Sequence, residues 1–289
     1  MSDCSDSDHG ISDFSDEDYE PEIWTKAKNT NEESVYALVP KHPRIADCLS
    51  IENSRIKLKY YRRGPLWYRL LNRSEKRPNR STDLPLTTRL TWAIDIAQGI
   101  AHLHAHNVVW ANGHLNNVLI KEDGHVVLCN FENSRVNCPW YYDWDNINII
   151  HPICLPPYTY LNRPPPSIDV FAFGVMFFIL LVERSPHTQK ILVPTSEEMV
   201  ARNKHLKEDF EKLQDPELIK YFGSVLEACY TFKYDAGDQL LSALVSAYQK
   251  WVSETKPGII DGLRFAQQPD LTIPTMPSKY RSQDPPAST

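Results

Sequence analysis

The chain has 289 residues, 42% of them hydrophobic and 24% charged, which suits one large globular domain or two smaller ones. Its net charge of −6 belongs to one end. Residues 1–20 hold Asp3, Asp6, Asp8, Asp13, Asp16, Glu17, Asp18 and Glu20 with no Lys or Arg, and taking these eight from the 37 Asp and Glu leaves 29 against 31 Lys and Arg. The six cysteines (Cys4, Cys48, Cys129, Cys138, Cys154, Cys229) show no C-x-x-C spacing, so neither a zinc site nor a disulfide framework is expected. They read as reduced thiols of a cytoplasmic or nuclear protein. The longest apolar run, residues 170–182, is too short to span a bilayer, and no membrane association is expected.

In chain order, residues 1–20 read as a disordered acidic tail. Residues 32–39 form a short helix stopped by Pro40 and Pro43. Residues 45–51 and 55–61 are two strands, the second alternating Ile56, Leu58 and Tyr60 against Lys57, Lys59 and Tyr61. Arg63-Gly64-Pro65 breaks the chain before a short helix at 66–71. Leu86, Leu90, Ala93, Ile94, Ala97, Ile100, Ala101 and His104 share one face of a long helix. Strands at 117–120 and 126–129 flank a Lys-Glu-Asp-Gly turn. After an irregular stretch, helices are expected at 170–182, 197–213, 216–234 and 236–254. Residues 266–289, rich in Pro, Ser, Gln and Thr, are a second disordered tail. Strands first and helices afterwards indicate an α+β chain.

Several motifs then occur in order. His42-Pro43-Arg44-Ile45, the Ala-Gln-Gly-Ile-Ala-His-Leu-His run before residue 105, Trp110-Ala111-Asn112, Asn130-Phe131-Glu132 and Asp169-Val170-Phe171-Ala172-Phe173-Gly174 all resemble segments of the protein kinase superfamily. Glu227-Ala228-Cys229-Tyr230 resembles a helix near the end of that domain, and Trp110 is similar to that of short fungal kinase-like proteins. The resemblance spans about residues 32–254. It implies a kinase-like α+β fold with a reduced N-terminal lobe (21–62) and a mainly helical C-terminal lobe (63–265).

What the resemblance implies for the site is loss. Asn112 stands at the position of the proton-accepting Asp, and an amide is not basic. His114 stands at that of the γ-phosphate Lys. Asn117 keeps the metal-binding Asn, while Asn130 replaces the metal-binding Asp, offering magnesium one neutral oxygen. Glu33 falls at the position of the glutamate of the regulatory helix. Lys26 and Lys28 precede it too closely for a strand, a connection and a helix start, and no glycine lies between Gly10 and Gly64. The first strands of the small lobe are therefore expected to be absent. The Ala-Pro-Glu position holds Pro156-Pro157-Tyr158, and its Arg partner position falls near Ala236-Gly237, so both members of that ion pair are gone. Asp169 is retained for a structural duty, capping a helix and bonding the loop at 110–112, and Phe131 is retained as a packing residue beside Trp110.

Other features take plain readings. Asn112-Gly113 is first a turn. Glu132 is first a surface residue. His102, His104, His106 and His114 do not converge on a metal site. Residues 55–80 carry ten basic residues and one acid, Glu75. They read as a solvated face that also suits an acidic or phosphorylated ligand. Nucleic acid is not an expected partner. Ser5 and Ser15, each with an acid three residues on, suit an acidophilic kinase. The expected function is that of a pseudokinase, a binding or regulatory module for a protein partner, with no cofactor. The alternative is an atypical, weakly active serine/threonine kinase using ATP and magnesium.

Overall fold

The computed structural model describes residues 23–27, 29–53, 55–70, 84–138, 165–183 and 215–255. Both tails, the 71–80 part of the basic stretch, the motif at 156–158 and the helix expected at 197–213 lie outside the described residues.

The first described element is a strand for which the sequence reading left no room. β1 (Ile23–Ala27) pairs antiparallel with β3 (Arg55–Lys59), which pairs on its other side with β2 (Cys48–Glu52). The room exists because β1 is short and Asn29 already caps the next helix, α1 (Thr30–Leu38). Asn29 Oδ1 accepts the N–H groups of Asn31 and Glu32 at 3.0 and 3.1 Å, a cap worth about 1 kcal/mol. The register sets Lys26 opposite Ile56, and directly opposed residues share a face. Ile56 and Leu58 are buried, so Lys26 is directed inward, while Arg55 and Lys59 are exposed. α1 buries Glu32 and Val35, its C-cap Val39 is buried as well, and Pro40 beyond has no N–H to continue the helix.

Among the described residues, four helices build the larger part: α3 (Leu86–Ala105), following the five-residue α2 (Leu66–Leu70), then α4 (Ser167–Val182), α5 (Pro216–Tyr230) and α6 (Gly237–Thr255). α3 and α4 are buried along most of their length and form the centre, with Phe171, Phe173 and Phe177 fully buried. Each such side chain contributes about 1.5–3 kcal/mol through burial. α5 ends at Tyr230, short of the expected 234, because Phe232 takes a left-handed φ of 54°. Among the described residues no helix is long and apolar enough to cross a membrane.

The two parts are joined beneath the sheet. Asp95 of α3 is fully buried and accepts from Arg44 Nε (2.7 Å), His125 Nδ1 (2.9 Å) and the Val126 N–H (3.0 Å). Gly99 permits this closeness, since a Cβ there would stand 2.6 Å from Leu128 Cδ1. Two small antiparallel pairs then frame the site. β4 (Val108–Val109) pairs with β7 (Arg135–Val136), and β5 (Val118–Ile120) pairs with β6 (Val126–Leu128). The loop 110–117 is thus clamped beside the loop 129–134.

Candidate functional site

The first turn of α4 organises the loop after β4. The Asp169 carboxylate accepts the N–H of Trp110 at 2.6 Å, the N–H of Ala111 at 2.8 Å and His104 Nε2–H at 3.0 Å. His104 Nδ1 accepts the Gly237 N–H at 2.9 Å, so that nitrogen carries no proton and Nε2 is the donor. Both residues are buried. This grip holds Ala111 at a left-handed φ of 52°, a conformation costing an ordinary residue about 1–2 kcal/mol. The Trp110 indole is fully buried and donates to the Cys129 carbonyl at 3.1 Å, and its own carbonyl accepts from Ser134 Oγ at 3.0 Å.

The three asparagines form a closed ring. Asn112 Nδ2–H donates to the Asn130 carbonyl at 3.0 Å. Asn130 Nδ2–H donates to Asn117 Oδ1 at 3.1 Å. Asn117 Nδ2–H donates to the Asn112 carbonyl at 2.9 Å. Asn130 sits at φ 60°, which asparagine tolerates better than most residues. Each side chain supplies a donor that aspartate lacks. The side chains at 112 and 130 thereby staple the two loops together. Asn130 Oδ1 is buried and takes no hydrogen bond.

On the other wall, Lys26 of β1 forms a salt bridge with Glu32 and a second with Glu132 at 2.7 Å. This corrects the position assigned to Glu33. Glu32 is the fully buried glutamate of α1, and its Oε1 also accepts the Phe131 N–H at 3.3 Å, whereas Glu33 is only half-buried. The cap at Asn29 fixes the helical phase and turns Glu32, Val35 and Val39 inward. Asn29 followed three residues later by Glu32 is the pattern of a helix start, and that signal would have located it. Burial opposes the charge on Lys26, yet hydrogen bonds to Glu132 and Glu32 outweigh it and hold the ammonium above its usual range. Glu132 is 46% exposed, as a surface residue should be, but its carboxylate belongs to Lys26.

Phe131 is fully buried and meets Tyr36 of α1 edge to face, centroids 5.4 Å apart. Burial, with Glu32 adding to it, pushes the Tyr36 phenol well up. His114 is buried as the cap of a 3-10 turn (Leu115–Asn117): its Nδ1 accepts the Asn116 N–H at 3.1 Å and its ring lies 4.8 Å from that of Trp67. His102 stacks on His42 at 4.1 Å and neighbours His106 at 4.5 Å on the surface of α3, while His104 faces the core. In the described part of the basic stretch, Lys57, Lys59 and Arg63 lie 3.9, 4.0 and 3.3 Å from Glu52, Asp47 and Glu122. Neighbouring acids thus divide that face.

A lysine and buried-glutamate pair, a helix-anchored loop with Asn112 and Asn117, and an Asn-Phe-Glu loop packed beneath them define a protein kinase domain. The family model described as protein tyrosine and serine/threonine kinase matches residues 25–236, and the chain belongs to that family. It is similar to the dual serine/threonine and tyrosine protein kinases of Xenopus laevis and Xenopus tropicalis, 25% identical to each over 237 residues. The match covers 80% of this chain but 24% and 23% of those proteins. The human protein of that name is 25% identical over 170 residues, 57% of this chain and 17% of its own.

Kinase chemistry implies a nucleotide with magnesium. Magnesium binds hard, usually anionic oxygens in a near-octahedral shell. Here Asn117 spends both amide groups on the ring, Asn112 and Asn130 each offer a single neutral oxygen, and Glu132 faces Lys26. These residues do not fit the ion.

Proposed function

We propose that the chain is a pseudokinase, a kinase-type domain that binds or regulates a protein partner without transferring phosphate. The asparagine ring carries this reading. Neither Asn112 nor Asn130 offers a base, and both are committed to holding the loops together. The partner would meet the edge strand β1, where Ile23 and Trp24 are 52% and 45% exposed. Edge strands are ready templates for another chain. The free thiols of Cys48, Cys129 and Cys229 accord with a reducing compartment, cytoplasmic or nuclear.

The formed Lys26–Glu32 pair favours a second reading, an atypical kinase of weak activity. The relatives are named as kinases of serine, threonine and tyrosine, so the hydroxyl of one of these would be its substrate. Thermal unfolding with ATP, with and without magnesium, and a radiolabel transfer assay separate the two. The pseudokinase shows no magnesium-dependent shift and no label. A magnesium-dependent shift with transfer abolished by Asn117→Ala would establish the enzyme.

A further inference from the structure

We propose that Glu132 is an internal anion seated on Lys26, and that the chain excludes phosphate-bearing ligands from that lysine with its own side chain. This deepens the pseudokinase reading and rests on it. The seat is one ammonium, its side chain 12% exposed, approached from two sides. On the inner side Glu32 is fully buried and is held by the Phe131 N–H as well as by Lys26. On the open side stands Glu132, at 2.7 Å from Nζ.

Glu32 alone balances the lysine. The second carboxylate brings the cluster to a net negative charge, so an incoming phosphate meets repulsion where a free ammonium would attract it. The backbone keeps Glu132 in place. Its carbonyl accepts Asn31 Nδ2–H at 2.8 Å, which docks the residue on the first turn of α1. Its chain neighbour Phe131 is immobilised in the core. The Trp24 ring lies 5.5 Å from Nζ and covers another flank. The carboxylate itself, being exposed, is the displaceable member of the pair.

The test is equilibrium binding of ATP, and separately of inorganic pyrophosphate, to the full chain in the presence of a chelator. Four proteins are compared: wild type, Glu132→Gln, which keeps length and loses charge, Glu132→Ala, which loses both, and Lys26→Met combined with Glu132→Gln. Thermal unfolding confirms that each is folded. The Gln and Ala variants should bind at least tenfold more tightly than wild type, and the gain should vanish with Lys26→Met. Equal binding by wild type and both variants, whether tight or undetectable, overturns the proposal. So does a gain that survives Lys26→Met, because the anion then sits elsewhere. Phosphate transfer by the wild-type chain would sink the pseudokinase reading, whereas the ratio between variant and wild type decides this one.

Discussion

Lys26 and Glu32 join β1 to the first turn of α1 through a salt bridge in which the carboxylate is fully buried and the ammonium nearly so. Removing one partner leaves the other charge in a poor solvent. Lys26→Met should destabilise the chain by about 3–5 kcal/mol, and pairing it with Glu32→Leu should restore most of that loss. Urea denaturation of the two single variants and the double variant gives the coupling energy directly.

The asparagine ring predicts that restoring a catalytic-type carboxylate harms the domain. Asn112→Asp replaces a donor with an anion 3.0 Å from the Asn130 carbonyl oxygen. The expected loss is about 1–3 kcal/mol, read from the denaturation midpoint. Asn112→Ser, which can still donate, should lose less.

Asp169 takes two backbone N–H groups and the His104 donor on one carboxylate. In Asp169→Asn, one oxygen becomes an amide that cannot accept. Hydrogen exchange at the Trp110 and Ala111 amides should accelerate at least tenfold, well before the protection of α3 changes. Equal acceleration across α3 would show instead that the whole domain had loosened.

Gly237 opens α6 where its amide meets His104. A Cβ there would stand 2.7 Å from the Ala101 nitrogen and 2.8 Å from its Cα, both backbone atoms that cannot swing aside. Gly237→Ala should cost about 1–3 kcal/mol through overpacking, visible as a lowered Tm.

Burial pushes the Cys129 thiol from its usual 9.0 up to about 12. Below pH 9 the thiol is protonated in both states. Between pH 9 and 12 the unfolded chain releases the proton and the folded chain keeps it, so stability falls as pH rises. Denaturation at pH 8, 9 and 10 should show this decline, and Cys129→Ala should lessen its slope.

Much of the interior was legible because its signals are local. The apolar periodicity of 86–105 and the near-continuous apolar run at 170–182 mark α3 and α4 without tertiary help. The resemblance of the segments around Asn112, Asn117 and Asn130 to kinase motifs located the loops. What escaped depended on phase and register. β1 reads Ile-Trp-Thr-Lys-Ala, too short to announce itself, and only its pairing with β3 turns the lysine inward. Glu32 and Glu33 are adjacent in sequence, yet 100° of helix rotation separates a buried ion pair from a half-buried side chain. The mutual bonding of the three amides, and the His104–Gly237 bond between distant helices, arise only when the chain is folded.

The linkage of 112, 117 and 130 closes without taking up or releasing a proton or an ion. By the reciprocity of binding and folding, its contribution stays constant across changes in acidity, divalent-ion supply and cellular energy charge. Loops fastened this way keep one arrangement at 110–117 and 129–134 whatever the acidity of their surroundings.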